Sequence, residues 1–247
     1  MIYLRKKMAM MKFFADLNTH TIAAGNLCGE IQEMAQAAAE RNLQILGISE
    51  QVPCDPGDLQ KMDCAMRTSC GVGLIYGCEI SVRNDGMRSL ADSLKGADYA
   101  AAAIHPECFR NQGMERNTDL LIACMQHTKV RMVSHAAEAE IPLDYPRLVQ
   151  AARDLTVAFE VSSNPYRNPE ERSVCFAHYR SLLELCQKKR VPIVVSSDAY
   201  DPCQVGEMGE AGSFLEELDF DRSLILNLEG NQEKFIFCFR LNGICFS

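Results

Sequence analysis

The chain has 247 residues, of which 47% are hydrophobic and 23% charged, and its formal net charge at pH 7 is -8. This composition is typical of a globular protein with a substantial core, and the length suits one large α/β domain or two small ones. The acidic balance and the lack of a block of basic residues disfavour nucleic acid as a partner. No run approaches the roughly 20 apolar residues that a membrane-spanning helix needs.

The N-terminal segment and the cysteines bear on the compartment. Residues 1–10 contain basic side chains but no long apolar core and no small-residue cleavage site, so we interpret them as an N-terminal extension rather than a signal peptide. We expect a single domain over 11–247. The 12 cysteines include no C-x-x-C pair, and we interpret them as reduced core residues. These features predict a cytoplasmic protein.

Short apolar runs alternate with helical patterns along the chain. Strands are predicted at 12–17, 43–49, 73–80, 98–104, 129–134, 156–161 and 191–197. Helices are predicted at 29–41, 115–127, 146–154 and 172–189, where apolar residues recur at spacings of three and four. The alanine run in the fourth strand is also compatible with a helix. Seven βα units favour a parallel α/β barrel over an open sheet, although the alternation alone does not close the barrel.

Polar residues stand at or near the ends of several predicted strands, which is where α/β barrels carry their chemistry. The residues that suit a metal site are Asn18, His20, Glu79, His105, His135 and Asp198. Taken singly, a histidine after a strand is most often a loop residue, and a lone carboxylate often caps a helix. Together they favour a site for Zn²⁺, Mn²⁺ or Fe²⁺, because buried imidazole and carboxylate groups need a partner or a cation.

The segments DLNTHT, GISEQVP, GCEIS, IHPE, VSHAAE, FEVSSN and SSDAY resemble, in order and spacing, the motifs of the PHP (polymerase and histidinol phosphatase) family. The resemblance extends from Met11 to about residue 236 and is closest to the stand-alone PHP phosphoesterases. It implies a distorted (β/α)7 TIM-like barrel that uses divalent metal ions to hydrolyse a small phosphorylated substrate.

The resemblance also implies a ligand set. It assigns Asn18, His20, Glu79 and Asp198 to a first metal, Glu79, His105 and His135 to a second, and Asn26, Gln51 and Tyr200 to a third. The family normally has histidine at positions 18, 26, 51 and 200, so five of the nine ligands survive here. At the position of Glu50, which is not among the nine, the family usually has aspartate. Because the third position keeps none of its ligands, we expect two metal ions rather than three.

By the same resemblance, Glu79, His105, His135 and Asp198 carry the catalytic metals. Arg167 and Arg110 are candidates to bind the substrate phosphate, and Asp16 or Glu138 to hydrogen-bond the metal-binding imidazoles. An alternative stays open, in which a catalytically impaired PHP-like barrel binds a small ligand or a partner. Asn18 and the missing third metal motivate this alternative, and metal content discriminates between the two. Nothing in the sequence indicates an oligomeric state.

Overall fold

A computed structural model describes residues 11–21, 29–52, 66–84, 94, 96–105, 109–137, 141–164 and 169–241. The predicted extension at 1–10 and residues 242–247 lie outside the described residues. Within the described ranges, no helix combines the length and the hydropathy that crossing a bilayer requires.

Seven parallel strands form a sheet that is nearly closed into a barrel. In spatial order they are β1 (Ala15–Thr19), β2 (Ile45–Val52), β4 (Val72–Ser81), β5 (Tyr99–Ala103), β6 (Val130–Val133), β7 (Ala158–Ser162) and β8 (Ile193–Ser196). Each overlaps a predicted strand, and the alanine run is extended rather than helical. A short strand, β3 (Thr68–Ser69), pairs antiparallel with the start of β4 in a hairpin that the sequence analysis did not predict.

Helices surround the sheet. They are α1 (Ile31–Glu40), α2 (Met114–Met125), α3 (Tyr145–Leu155), α4 (Pro169–Lys189), α5 (Gly209–Glu217) and α6 (Gln232–Phe239). The four helices predicted between strands overlap α1 to α4. In α3, for example, the Asp144 side chain caps the N-terminus by accepting a hydrogen bond from the Arg147 amide at 3.1 Å. The buried face of α3 carries Leu148, Val149 and Ala152, as its helical periodicity predicts.

The interior of the barrel is apolar at the N-terminal ends of its strands. This cluster includes Ala15, Ile45, Ile75, Tyr99, Met132, Ala158 and Val194, one residue from each parallel strand. Helix α6 closes this end, because Phe235 packs edge-on against Phe14 at 5.3 Å and Phe239 against Tyr99 at 5.5 Å between ring centroids. Polar residues inside the barrel therefore collect at its other end, the C-terminal rim.

The seam between β8 and β1 closes the barrel. Towards the C-terminal rim, the His20 amide donates to the Ala199 carbonyl at 2.8 Å. Deeper in the seam, the Asn227 side chain donates to the carbonyls of Ala15 and Val195, both at 2.7 Å, and accepts from the Val195 amide at 3.0 Å. Asn227 and Asp16, whose carboxylate accepts from the Ser197 amide at 3.1 Å, are buried side chains that take the place of ladder bonds between the first and last strands.

Candidate metal centre

A bulge in β1 directs its polar residues into the barrel. From Asp16 to Thr19 the strand advances three residues while its partner β2 advances two, so one residue of β1 is extra. Strict alternation would place neighbouring residues on opposite faces, yet Leu17 belongs to the interior cluster and Asn18 contacts Glu160 across the barrel. The bulge therefore lets Asn18, and His20 two residues later, face the rim from inside.

Three predicted ligands meet at the rim. Glu79, His105 and His135 place their ligand atoms within 4.8 Å of one another, and theirs is the one such group of three that the described residues contain. Glu79 Oε1 lies 3.2 Å from His135 Nε2, and Glu79 Oε2 lies 3.6 Å from His105 Nε2. Two ligands that are each about 2.1 Å from one ion lie roughly 3 Å apart, so this triad has the spacing of a metal site.

The charge and hydrogen bonding of the triad also suit a cation. Burial raises the pKa of Glu79, but the positive charge of His135 and the adjacent His105 outweigh it and hold that pKa well below its usual value. Ser81 Oγ lies 2.8 Å from His105 Nδ1 and fixes the orientation of the ring. The opposite nitrogen, His105 Nε2, is buried and makes no hydrogen bond within the described part of the chain.

A second pair of predicted ligands lies beside the triad. His20 Nε2 is 3.2 Å from Asp198 Oδ1, and Asn164 Nδ2 donates to Asp198 Oδ2 at 2.8 Å. Burial lowers the pKa of His20, but its contact with Asp198 and the charge of Glu79 raise it above the usual value overall. Burial likewise raises the pKa of Asp198, and the hydrogen bond with His20 brings it below the usual value.

Two of these residues adopt an unusual backbone conformation. His135 and Asp198 have φ values of 55° and 51°, in the left-handed region that side chains other than glycine seldom occupy. Each is the second residue after the end of its strand, β6 for His135 and β8 for Asp198. Such conformations cost about 1–3 kcal/mol and concentrate at functional sites, where the surrounding structure enforces them.

Two residues assigned to the third metal bond to each other instead. Gln51 Nε2 donates to the Tyr200 hydroxyl at 2.9 Å and lies 3.3 Å from Glu79 Oε2, and the Tyr200 ring stacks on His20 at 4.4 Å. Burial raises the pKa of Tyr200, so the phenol stays protonated. Asn26, the remaining residue of that set, lies outside the described residues.

The sequence analysis missed Glu160 as a site residue. This glutamate lies on β7, is fully buried, and accepts hydrogen bonds at Oε1 from Asn18 Nδ2, at 2.9 Å, and from Ser196 Oγ. Burial raises its pKa to about 7. The signal that finds it is a lone carboxylate within an apolar strand, which is the same signal that drew attention to Glu79.

Four further residues were predicted to contact the imidazoles or the substrate phosphate. Within the described residues Asp16 makes no bond to an imidazole, and it accepts instead from the amides of Ser197 and Gly206 at 3.1 and 2.8 Å. Of the two candidates for that role, Asp16 was therefore wrong, and Glu138 stays a prediction. Arg110 is exposed, with its amide bonded to Asn84 Oδ1 at 2.9 Å. Glu138 and Arg167 lie outside the described residues.

No family model matches the chain. A curated protein of Clostridium botulinum (strain Langeland) named "Probable phosphatase" is 28% identical over 230 residues, which are 90% of this chain and 93% of the relative. A probable phosphatase of Clostridium acetobutylicum is 25% identical over 226 residues, or 89% and 92% of the two chains. These names support the prediction that the chain is a hydrolase.

Solved structures confirm the fold. Histidinol phosphate phosphatase from Lactococcus lactis, complexed with zinc, L-histidinol and phosphate, matches with a TM-score of 0.59 at 11% identity, over 84% of this chain and 94% of that one. A chain in the structure of archaeal ribonuclease P with mature tRNA matches with a TM-score of 0.57 at 15% identity, over 94% and 96%. At such identities the likeness shows the α/β TIM-like barrel and no more.

Proposed function

We propose that this chain is a metal-dependent phosphoesterase of the PHP type, which hydrolyses a small phosphorylated substrate with two divalent cations rather than three. The observation that carries the proposal is the convergence of Glu79, His105 and His135 at the C-terminal rim. The curated relatives named as phosphatases support the reaction class. We further propose that it acts in the cytoplasm.

The chain's own residues fit a divalent cation in two neighbouring positions. The triad offers two imidazoles and a carboxylate that stays ionised at neutral pH, a donor set that suits Zn²⁺, Mn²⁺ or Fe²⁺. The second donor set consists of Asn18, His20 and Asp198. A cation bound there supplies positive charge that acidifies water and offsets the charge of phosphoryl oxygens. Arg167 and Arg110 are proposed to bind the substrate phosphate.

The alternative is a barrel that binds a ligand without hydrolysing it. Two observations favour it: an amide stands at position 18, and Gln51 and Tyr200 hydrogen-bond each other where the family holds a third metal. The two functions differ in metal content and turnover, since only the phosphoesterase requires a bound cation for activity.

The test replaces one triad residue and one matched histidine away from the rim. His135→Ala removes a proposed ligand, whereas His178→Ala removes an imidazole on α4 that contacts the Tyr145 hydroxyl at 3.0 Å. We expect wild type, expressed with manganese, zinc and iron available, to carry at least about one metal per chain and to hydrolyse p-nitrophenyl phosphate. His135→Ala should lose more than about 100-fold of that activity, a larger effect than is typical for residues that only orient a ligand.

Metal content is measured by mass spectrometry of the purified proteins, and His178→Ala should match wild type in both assays. Less than about one metal per chain in wild type, or unchanged hydrolysis by His135→Ala, contradicts the phosphoesterase proposal.

A further inference from the structure

We propose that Glu160 is a positioning residue that holds the Asn18 amide with its oxygen available to a cation, which makes the position formed by Asn18, His20 and Asp198 selective for Mn²⁺ over Zn²⁺. This inference rests on the proposed function and goes further, because it assigns a metal preference to one position and a role to a residue outside the expected ligand set.

The hydrogen bonds around Glu160 decide the orientation of the amide. Its Oε1 accepts from Ser196 Oγ and from Asn18 Nδ2, the latter at 2.9 Å. An ionised carboxylate only accepts hydrogen bonds and an amide oxygen cannot donate one, so ionised Glu160 requires the nitrogen of Asn18 to face it, as the 2.9 Å contact shows. The other end of the amide, Asn18 Oδ1, is buried and makes no hydrogen bond with any residue that the structure describes.

The location of that free oxygen gives it a chemical role. Asn18 lies on β1 and His20 follows the last residue of that strand, and His20 Nε2 lies 3.2 Å from Asp198 Oδ1, a spacing compatible with two ligands of one ion. A buried amide oxygen without a hydrogen bond costs free energy unless it finds another partner, and a cation beside His20 and Asp198 is such a partner.

Glu160 acts through Asn18 rather than as a ligand of the triad. The group of three ligand atoms at the rim comprises Glu79, His105 and His135 and does not include Glu160. The adjacent strand β8 supplies Ser196, whose hydroxyl bonds to the same oxygen that receives Asn18, so the position of the carboxylate is fixed on two sides.

The donor sets of the two positions differ in a way that bears on metal identity. Asn18, Asp198 and the shared Glu79 offer three oxygens beside the His20 nitrogen, whereas the triad offers two nitrogens and one carboxylate. Amide and carboxylate oxygens suit harder cations such as Mn²⁺, and imidazole nitrogens suit Zn²⁺. The chain therefore favours manganese at the Asn18 position more than it does at the triad.

The experiment reverses the hydrogen bond between residues 18 and 160. Metal-free protein is loaded with Mn²⁺, with Zn²⁺, or with an equimolar mixture, and bound ions are counted by mass spectrometry and by electron paramagnetic resonance of Mn²⁺. In Glu160→Gln the new amide can donate to Asn18 Oδ1, so Asn18 can turn its nitrogen inward. We expect Mn²⁺ affinity at one position to fall by about 10–100-fold while the other ion is retained.

Two further variants separate positioning from general stability. The double variant combines Glu160→Gln with Asn18→Asp, so the amide is now at position 160 and the carboxylate at position 18. The amide donates to one oxygen of that carboxylate, and the other oxygen again faces the cation. We therefore expect the second Mn²⁺ to return. Asn18→His should shift the preference of that position towards Zn²⁺ by at least about tenfold. Glu115→Gln, an exposed substitution on α2, is the control and should bind both ions as wild type does.

The outcomes of the two proposals are distinguishable. If Glu160→Gln binds two ions with the Mn²⁺ to Zn²⁺ ratio of wild type, or if the double variant does not recover the lost ion, Glu160 does not position Asn18 and the inference is overturned while the phosphoesterase proposal stands. If wild type binds no ion, the proposed function itself fails. Loss of one ion in Glu160→Gln with recovery in the double variant supports the inference.

Discussion

Tyr99 fills the interior of the barrel below the C-terminal rim. Its ring lies inside the barrel, and its hydroxyl donates a hydrogen bond to the Leu17 carbonyl. The ring occupies space that side chains on β2 and β4 would otherwise fill, because a Cβ at Gly77 would lie 2.4 Å from Tyr99 Cζ and one at Gly47 2.5 Å from its hydroxyl. Since Glu79 follows Gly77 by two residues on the same face of β4, Tyr99 lies directly beneath the triad.

The first prediction concerns this close approach. Gly77→Ala inserts a methyl group into the Tyr99 ring, so we expect the free energy of unfolding in urea to fall by about 1–3 kcal/mol, as overpacking does elsewhere. Gly73→Ala on the same strand is the matched control, because its Cβ would be 3.5 Å from the nearest atom, the Gln44 carbonyl oxygen. Equal stability of the two variants would show that Tyr99 can move aside at no cost.

At the scale of elements, the seam between β1 and β8 differs from every other strand pair in the barrel. The other parallel neighbours share ladders of backbone bonds, whereas this seam relies on the backbone contacts of Ala199 with Asn18 and His20 and on two side chains, Asn227 and Asp16. Asn227 is fully buried, and its amide satisfies one backbone donor and two backbone acceptors. Because Asn18 and His20 lie in or just after β1 and Asp198 lies just after β8, the seam also sets the distance between His20 and Asp198.

We therefore predict that Asn227→Ala destabilises the barrel strongly. It leaves the Val195 amide and the carbonyls of Ala15 and Val195 without their partner, and buried groups of this kind cost about 1–3 kcal/mol each when water cannot reach them. We expect the free energy of unfolding, measured by chemical denaturation, to fall by at least about 2 kcal/mol. Asn231→Ala is the comparison, because that half-buried side chain also donates to two carbonyls, of Arg222 and Ile225, both at 2.8 Å. A loss no larger than that of Asn231→Ala would contradict this role of Asn227.

Elements were predictable from the sequence to the extent that local patterns specify them. Strand and helix periodicity predicted the parallel strands and α1 to α4. The expectation that α/β barrels carry their chemistry at the C-terminal ends of the strands predicted the residues of the triad. The bulge in β1 and the β3–β4 hairpin escaped, because a bulge depends on the register with a neighbouring strand and the hairpin strand is only two residues long.

At the scale of the whole molecule, buried carboxylates inside the barrel make stability depend on pH. Burial raises the pKa of Glu160 from 4.5 to about 7, so the folded state binds this proton more tightly than the unfolded state. Its contribution to stability is full below pH 4.5 and is lost as the pH rises through about 7. The pH dependence that Glu79 contributes has the opposite direction, because its pKa is lowered in the folded state. Its contribution to stability is present above pH 4.5 and is lost as the pH falls.

The corresponding prediction compares wild type with Glu160→Gln in the presence of a chelator. Between about pH 5 and about pH 8, metal-free wild type should lose stability that the variant does not, because the amide has no proton to release. The measurement is the free energy of unfolding at several pH values, with Glu115→Gln as the control. Parallel pH profiles for Glu160→Gln and wild type would show that the pKa of Glu160 is not raised in the fold.

The sequence by itself determined the alternation of strands and helices, the barrel class, and which strand ends carry imidazoles and carboxylates. These follow from local periodicity and from the geometry of parallel strands, which depend on near neighbours along the chain. Only the tertiary structure decided that Asn18 bonds to Glu160, 142 positions away, that Gln51 bonds to Tyr200, and that Asn227 closes the seam. The direction in which a buried amide points is fixed by partners across the barrel, and those partners have no signature in the local sequence.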